Sequence, residues 1–570
     1  MHLSVGVTGH RDLLEQEKPA LEARVREFLQ RLAARCPRLQ LQLLSPLAEG
    51  GDQLAARVAV AMGIDLVAVL PMAVTAYETD FHSAAGLRAF RDLLASARQV
   101  IQMPTAPGAE EQDLVLAGSL RDRQYAQTGV FISNHCQVLL ALWDGKPSTA
   151  VGGTAQIVRY HLTALTEDFD DQLSSAHLLA DSENDLTHHI VCSRNRPDGA
   201  PQPGLQPLAC YWLTAQHGRV QGDDLPQEYA DMLDRLQEFE SDRARHAAAQ
   251  QAGSLGLLNN PPAALAVPAS AKYIEHLFCV ADTLAVHYQK RVNRSLYAIY
   301  ALVLMMGLVF MVYSEYSVPP FVLWIFLGLF FTGIALHATG NRRQWHRKYL
   351  DYRALAEALR VQFYWNLADV VESRSVGFAY ENFMQKQDVE LGWIRHVMRA
   401  ASMQRARGTH TEDAWLPWVI EQWVGNRLGG GGQLGYYQHK ELHNTTLYRR
   451  TEFLGRICLW SGVGVALLLV AGSSRLSDPT QQFLLILMGL LPFIAGIRDA
   501  VSHKRAEKEL IKQYRFMARI FANARRLLDT SGTPALQRRV LKALGEAALE
   551  EGAEWILMHR ARPLEQQGLS

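Results

Sequence analysis

Short glycine motifs with polar neighbours end several apolar segments in the first third of the chain. Thr8-Gly9-His10-Arg11 ends the first segment, Glu49-Gly50-Gly51-Asp52 follows the second, and Trp143-Asp144-Gly145 ends a later one. Gly152-Gly153-Thr154 comes shortly after. Glycine lets the backbone approach a phosphate closely, and the Arg11 guanidinium can pair with it. These residue types point to a phosphate-containing ligand.

The segments that carry these motifs alternate with helical patterns. The predicted strands are residues 3–8, 41–47, 65–72, 99–103 and 138–143. Helices are predicted after the first two strands, over 77–97 and 120–133, and from residue 155. This alternation is typical of an α/β, Rossmann-like, doubly wound parallel sheet, with one further edge strand expected at 188–192. Ligands bind at the carboxyl ends of such strands, where the glycine motifs converge.

Three of these motifs, in this order, resemble the SLOG superfamily. They are Val5-Gly6-Val7-Thr8-Gly9-His10-Arg11, the run from Ser45 to Ala55, and Leu140-Ala141-Leu142-Trp143-Asp144-Gly145 with Gly152-Gly153-Thr154. That superfamily contains Rossmann-like domains related to DNA-processing protein A and to the lonely-guy phosphoribohydrolases. The resemblance covers about residues 1–215. It implies a nucleotide or nucleotide-derived ligand at the four motifs, and no separate cofactor.

The last motif departs from the hydrolytic members of that superfamily. Those members carry Gly-Gly-x-Gly-Thr-x-x-Glu, whereas this chain has Gly152-Gly153-Thr154 followed by Ala155-Gln156-Ile157-Val158. The second glycine and the catalytic glutamate are missing, so we expect a sensor and assign no catalytic residue. Glu49 and Asp52 remain alternative carboxylate catalysts, although each could instead cap a helix or hold a ribose hydroxyl.

Two pairs of apolar segments follow in the second half of the chain. They are predicted to be membrane helices at about residues 296–313, 321–339, 455–472 and 482–498. The first pair contains no ionisable residue except His337, and basic residues crowd the outer ends of both pairs. The strictly apolar parts of the second pair are short, so those helices must extend beyond them. The positive-inside rule places both termini in the cytoplasm.

Composition excludes several other classes of function. The formal net charge is zero and no segment has a dense basic face, so a nucleic-acid partner is not expected. The six cysteines show no CxxC spacing and are expected to be reduced, and no metal site is predicted. His188 and His189 are adjacent in a strand and would point to opposite faces. No signal peptide precedes the first strand, so the first half is expected to stay where it is made.

The two membrane halves match each other in sequence. Tyr352-Arg353-Ala354-Leu355-Ala356 corresponds to the run from Tyr514 to Ala518, 162 residues later, and Trp393-Ile394 corresponds to Trp555-Ile556 at the same offset. Tyr288 and Tyr448 correspond at an offset of 160. A shared offset indicates a duplicated module, although convergence between amphipathic helices is the alternative. The predicted domains are residues 1–215, a helix and linker at 216–270, and two membrane modules at 271–410 and 411–570.

Each two-helix unit with its following helix resembles the SLATT family. Trp415 and the run Gln433-Leu434-Gly435-Tyr436-Tyr437, which lead into the second copy, add to the likeness. SLATT proteins are two-transmembrane effector modules found beside SLOG domains in bacterial conflict systems. The resemblance covers about residues 270–570 and implies a pore-forming or membrane-disrupting output.

These features together predict a membrane effector of anti-phage defence in the bacterial inner membrane. A cytoplasmic SLOG-like domain would sense a nucleotide second messenger and gate an oligomeric pore in the lipid bilayer. Four helices per chain are too few for a wide pore, so a homo-oligomer is expected. Two alternatives remain open, a membrane-anchored nucleotide-processing enzyme and a nucleotide-regulated ion channel.

Overall fold

The chain divides into two compact units. The first contains residues 1–248, 267–276 and 371–411, and the second contains 249–266, 277–370 and 412–570. The computed structural model describes residues 1–105, 114, 118–164, 185–222, 224–247, 256–316, 318–370, 391–403, 413–426, 431–472 and 476–560. Much of the predicted loop at 166–185, part of the predicted linker at 252–270 and half of the glycine run at 429–432 lie outside these ranges.

An eight-stranded sheet forms the centre of the first unit, in the order β4-β3-β2-β1-β5-β6-β7-β8. Strands β1 to β6 run parallel to one another. Strand β7 is antiparallel to β6, and β8 is antiparallel to β7. The predicted α/β fold with a doubly wound, mostly parallel sheet is confirmed. The strands are β1 His2–Gly9, β2 Gln40–Ser45, β3 Asp65–Leu70, β4 Gln99–Gln102, β5 Val138–Trp143, β6 Thr187–Val191, β7 Cys210–Thr214 and β8 Gly218–Gln221.

Strand β6 corrects one prediction. It was expected at the edge of the sheet, but it pairs with β5 on one side and with β7 on the other. Strands β7 and β8 form a hairpin that adds two antiparallel strands beyond it. Both are short, and β8 is exposed along its whole length. The run of apolar residues that marks a buried strand is therefore missing from the sequence of β8.

Helices connect the strands of this unit, and six of them precede β6. They are α1 Lys18–Arg35, α2 Gly51–Ala61, α3 Val74–Tyr77, α4 Ala84–Ser96, α5 Ser119–His135, α6 Thr154–Thr163 and, after the sheet, α7 Gln227–Arg245. The helix predicted over 77–97 is interrupted, because Ser83 begins a new helix there. The Ser83 hydroxyl accepts a hydrogen bond of 2.9 Å from the Gly86 N–H, which is a helix N-cap.

The second half of the chain is helical. Its helices are α8 Ala269–Glu315, α9 Val322–Arg342, α10 Trp345–Leu367, α11 Gly392–Met403, α12 Leu416–Val419, α13 Gly432–Gly472, α14 Asp478–Lys504, α15 Glu507–Thr530 and α16 Pro534–Arg560. Helix α11 belongs to the first unit, whereas α9, α10 and α12 to α16 belong to the second. The matched residues Trp393 and Trp555 therefore lie in different units, on α11 and α16.

Four helices are long and apolar enough to cross a membrane, and they include all four predicted spans. Helices α13 and α14 have 41 and 27 residues, so the short apolar segments of the second pair do extend into longer helices. Large apolar side chains are exposed on the membrane helices: Trp324 on α9 is 75% exposed, and Val470 on α13 is 83% exposed. Such surfaces are typical of contact with lipid. The second unit is that of a multi-pass membrane protein.

Small residues allow three of these helices to approach closely. A Cβ on Gly462 would lie 2.7 Å from the Pro492 ring, and one on Gly307 would lie 2.3 Å from Phe493. A Cβ on Gly489 would lie 3.1 Å from Met311. Small residues at helix contacts are the usual packing device in membranes, where lipid offers no hydrophobic drive between helices. These contacts join α8 and α13 to α14.

A single left-handed residue breaks the chain after each membrane hairpin. Gln344 separates α9 from α10 with a φ of 49°, and Ala506 separates α14 from α15 with the same φ. Left-handed backbone is uncommon for residues other than glycine. The two positions are 162 residues apart, the offset that relates the sequence matches. The halves therefore share a backbone feature as well as short sequence motifs.

Candidate functional site

A cavity of about 510 Å³ opens at the carboxyl ends of β1 and β5. The strand order reverses between these two strands, which is the position where doubly wound sheets bind ligands. Its volume is within the range of small-molecule sites. Nine of the predicted site residues line it: Thr8, Gly9, His10, Arg11, Asp52, Asp144, Gly152, Gly153 and Thr154.

The N-terminus of α6 forms one wall of this cavity. Gly152, Gly153 and Thr154 lie there, and no side chain caps the helix at Gly153. The first N–H groups of a helix have no partner within it, and they carry the positive end of the helix dipole. Gly152 adopts a φ of 73°, and its N–H donates a 2.6 Å hydrogen bond to the Gln156 side chain. This wall is suited to an anionic group.

The second glycine pair, at the start of α2, has a different role. The Gly51 N–H donates a hydrogen bond of 3.0 Å to the His10 carbonyl, and a Cβ on Gly51 would lie 2.9 Å from the Gly9 Cα. Gly50 has a φ of 94°, and a Cβ there would lie 2.4 Å from the carbonyl oxygens of His10 and Arg11. Gly50 and Gly51 do not line the cavity. They hold the loop after β1 against α2, which shapes the cavity floor.

The two predicted carboxylates are separated by the fold. The Glu49 side chain accepts a 2.5 Å hydrogen bond from the Ser83 hydroxyl, and Glu49 does not line the cavity. Asp52 does line it and is only 5% exposed. Its Oδ1 atom has no hydrogen-bond partner among the described residues. Burial raises the pKa of Asp52 to about 8, although the nearby Arg11 opposes that shift.

Arg11 also lines the cavity, and two tyrosines lie near it. Its guanidinium carbon is 5.2 Å from the centroid of the Tyr125 ring, within the range of a cation–π contact. The buried hydroxyl of Tyr125 has no hydrogen-bond partner among the described residues, whereas the Tyr77 hydroxyl donates to the Pro46 carbonyl at 3.0 Å. Both tyrosines line the cavity. Sequence reasoning missed them, since helices α3 and α5 give no signal of a ligand.

In the motif at the end of β5, Asp144 lines the cavity, whereas Trp143 and Gly145 contribute to the adjacent turn. Asp144 Oδ1 is 3.1 Å from His10 Nε2 and accepts a 3.0 Å hydrogen bond from the Lys146 N–H. Burial opposes ionisation of Asp144, but these contacts keep the pKa of Asp144 below its ordinary value. Trp143 and Gly145 do not line the cavity. The Trp143 indole donates to the Lys146 carbonyl at 3.1 Å, and Gly145 makes the turn with a φ of 79°.

The loop after β6 adds basic residues to the cavity that were not predicted. Most lining cations already have a carboxylate: Arg194 is 2.8 Å from Asp12, Lys146 is 3.3 Å from Asp198, and Arg196 is 4.0 Å from Asp144. Arg11 has no ion pair with any residue that the structure describes. The two arginines follow a predicted strand directly, which is a signal that could have placed them at this edge.

Within the described residues, the site therefore combines an open helix N-terminus, a guanidinium without an ion pair and buried polar atoms without hydrogen bonds. The last group consists of Asp52 Oδ1, Tyr125 Oη and Asp144 Oδ2, all on residues that line the cavity. Buried polar atoms without hydrogen bonds are rare in folded proteins and often mark a missing ligand. Within the described ranges no three His, Cys, Asp or Glu residues are placed to hold a metal ion.

Comparison with models of known protein families gives no match. Comparison with curated proteins gives no match either.

Proposed function

We propose that this chain is a membrane effector whose first unit binds a nucleotide-derived signal and whose second unit responds by opening a pore. The observation that carries the proposal is the cavity at the sheet edge, where the one lining cation without an ion pair among the described residues, Arg11, shares the space with the uncapped start of α6. A ligand with a phosphate and a ring fits this chemistry. The phosphate would lie between Arg11 and Thr154, and the ring near Tyr125.

Polar groups in the floor supply contacts for the rest of such a ligand. Asp52 is protonated over much of the neutral range because its pKa is about 8, so it can donate a hydrogen bond as well as accept one. Tyr125 and Asp144 each present a buried oxygen that forms no hydrogen bond among the described residues. A ribose hydroxyl satisfies groups of this kind. The same three side chains would be left unsatisfied by an inorganic anion alone.

The membrane-spanning helices support the output half of the proposal. Helix α8 is continuous from Ala269 to Glu315, and its first residues belong to the unit that contains the cavity. A chain with four spans needs partners to surround a wide pore, so we propose a homo-oligomer. The basic outer ends of the hairpins favour cytoplasmic termini in a bacterial inner membrane. Anti-phage defence is the setting that the family resemblances suggest.

Ligand binding opens such a pore only by differential affinity. A shift from 1% to 99% open requires roughly 10⁴-fold tighter binding to the open state. The groups that touch the ligand must therefore differ between the two states. The loop after β6, with Arg194 and Arg196, supplies lining cations that could change their contacts when a ligand binds.

Membrane potential in cells tests the proposal. Cells that express the full chain are supplied with individual nucleotide signals, and a potential-sensitive dye reports depolarisation. The wild type is expected to depolarise with one signal, and Arg11→Glu is expected to abolish the response. Arg38→Glu is the matched control, since Arg38 is exposed and lies outside the cavity. If no signal depolarises the cells, or if the Arg11 and Arg38 variants behave alike, the proposal is wrong.

One observation favours a second candidate, a membrane-anchored nucleotide-processing enzyme. A carboxyl with a pKa near neutrality in a cavity is suited to general acid or base catalysis, and Asp52 has these properties. This function predicts turnover of a nucleotide by the purified chain, lost in Asp52→Asn. Product formation without depolarisation would select it over the pore.

A further inference from the structure

Four basic side chains occur together at one edge of the second membrane hairpin. Arg449 and Arg450 lie on α13, Lys508 and Lys512 lie on α15, and all four residues are exposed. The two helices contact each other along this region. Arg515 on α15 is 2.7 Å from Glu441 on α13, and Lys508 Nζ is 5.7 Å from the centroid of the Tyr448 ring. These contacts place Lys508 at the level of Tyr448, so the basic residues of both helices lie at the same level of the hairpin.

Four acidic residues of this region already have basic partners. Their distances are 2.7 Å for Glu441 and Arg515, 3.8 Å for Glu452 and Arg456, 2.7 Å for Asp499 and Arg498, and 3.4 Å for Glu507 and Arg505. Arg449, Arg450, Lys508 and Lys512 form no hydrogen bond or ion pair with any part of the chain that the structure describes. Glu509 on α15 is a fifth acidic residue of the region. The four basic side chains remain without an ion pair among the described residues. Mutual repulsion between them favours binding of an anion.

An apolar surface begins within one turn of these charges. Phe453, Leu454 and Trp460 of α13 are 60%, 59% and 69% exposed, and they belong to the membrane-spanning helix. Tyr448 lies at the boundary, with the Arg498 guanidinium carbon 4.9 Å from its ring centroid. Tyrosine and basic residues at the end of an apolar helix are typical of the membrane–water interface. A ligand here meets positive charge at one end and apolar surface at the other.

We propose that Arg449, Arg450, Lys508 and Lys512 bind the headgroups of anionic phospholipids. The phosphodiester of the lipid pairs with the basic side chains, and its acyl chains cover the exposed face of α13. Because the lysines and arginines come from two helices, one lipid bridges the membrane helix and the helix that follows the hairpin. The site depends only on the second unit. It therefore holds whether the cavity of the first unit senses or processes its ligand.

Lipid retention by the full chain tests this site. The chain is reconstituted in nanodiscs of equal parts phosphatidylcholine and phosphatidylglycerol, released gently, and analysed by native mass spectrometry. A basic side chain near the membrane surface contributes roughly fivefold to anionic lipid affinity. Retained phosphatidylglycerol should exceed phosphatidylcholine at least about tenfold. The preference should fall as salt rises, because exposed charges are screened.

The variant with Arg449, Arg450, Lys508 and Lys512 all changed to Gln should lose this preference. A control with Arg38, Arg519, Arg539 and Lys542 changed to Gln removes the same charge from exposed positions elsewhere and should keep it. Lys508→Arg with Lys512→Arg should also keep it, which shows that folding is intact. Equal retention of both lipids, equal loss in the control, or the same thermal stabilisation by inorganic phosphate as by phosphatidylglycerol would each overturn the proposal.

Discussion

The starts of α2 and α6 have nearly the same sequence and different surroundings. Each begins with two glycines and a polar residue, Gly50-Gly51-Asp52 in one and Gly152-Gly153-Thr154 in the other. At α2 the loop after β1 covers the helix end, since the Gly51 N–H donates to the His10 carbonyl. At α6 the helix end lines the cavity and no side chain caps it. A glycine pair thus allows close packing where another backbone segment contacts it, and it is suited to ligand binding where it lines a cavity.

The comparison also separates two kinds of polar residue beside a glycine pair. Asp52 follows the covered pair, yet its carboxyl reaches into the cavity. Glu49 precedes the same pair and points to Ser83. The sequence alone could not show which of the two carboxylates reaches the cavity, because side chains three residues apart at this turn face different parts of the fold. The following changes separate the packing role from the binding role.

The largest effect is expected from Gly50→Ala. Its φ of 94° is strained for alanine, and the new Cβ would lie 2.4 Å from two backbone oxygens. We expect a loss of about 3 kcal/mol or more, which lowers the thermal midpoint by roughly 6 to 12 °C. Gly63→Ala is the control, because Gly63 has a φ of 73° but nothing within 4 Å of an added Cβ. Equal shifts for the two variants would show that the close approach is not the cause.

Arg11→Gln should weaken ligand binding without changing stability. The Arg11 side chain is exposed and has no ion pair among the described residues, so the fold loses only the contact with Tyr125. A charge-assisted hydrogen bond to phosphate contributes about 1.5 to 3 kcal/mol, so the affinity should fall roughly 10- to 100-fold. Calorimetric titration with the activating nucleotide measures this, with Arg38→Gln as control. Unchanged affinity would exclude Arg11 from the site.

Asp52→Asn should change the pH dependence of stability. The ordinary carboxyl pKa is 3.8 and the folded value is about 8, so between these pH values the folded chain keeps a proton that the unfolded chain releases. The contribution of Asp52 to stability is therefore complete below pH 3.8 and is lost as pH rises towards 8, by at most about 1.4 kcal/mol per pH unit. The variant should lack this decline. Thermal midpoints measured across the range, with Glu49→Gln as control, test the shift; parallel curves would contradict it.

The smallest effect is expected from Ser83→Ala. Ser83 caps α4 and donates to Glu49, outside the cavity. Loss of an N-cap costs about 1 kcal/mol, and ligand affinity should stay the same. A drop in affinity measured by the same titration would mean that the Glu49 loop takes part in binding.

The strands that surround the site could be predicted because each is a continuous apolar run. Strand β5 is buried from Val138 to Leu142, as expected of a parallel strand with helices on its faces. Helix ends were harder to place. The short break before α4 depends on one hydroxyl, Ser83, within a pattern that otherwise continues as a helix. The antiparallel strands β7 and β8 were missed because both are short, and β8 is also exposed along its whole length.

The candidate site could be predicted in part, for a similar reason. The sequence places motifs at strand ends, which brings Arg11, Asp144 and Thr154 to one cavity. It does not show which of their neighbours cover them. Tyr125 reaches the cavity from the middle of α5, where nothing in the sequence distinguishes it from a packing residue. Arg196 comes from the loop after β6, where the neighbouring Asn195 N–H donates a hydrogen bond of 2.7 Å to the Asp12 carbonyl, a contact between distant parts of the sequence.

The repeated breaks at Gln344 and Ala506 bear on how many hairpins an oligomer of this chain would contain. Each chain contains two copies of a hairpin, a break and a following helix, joined in one polypeptide. Any closed ring of such chains therefore contains an even number of hairpins, twice the number of subunits. A ring of n subunits would have exact n-fold rotational symmetry and approximate 2n-fold symmetry. The two copies can then diverge, so that alternate positions around one ring differ in chemistry.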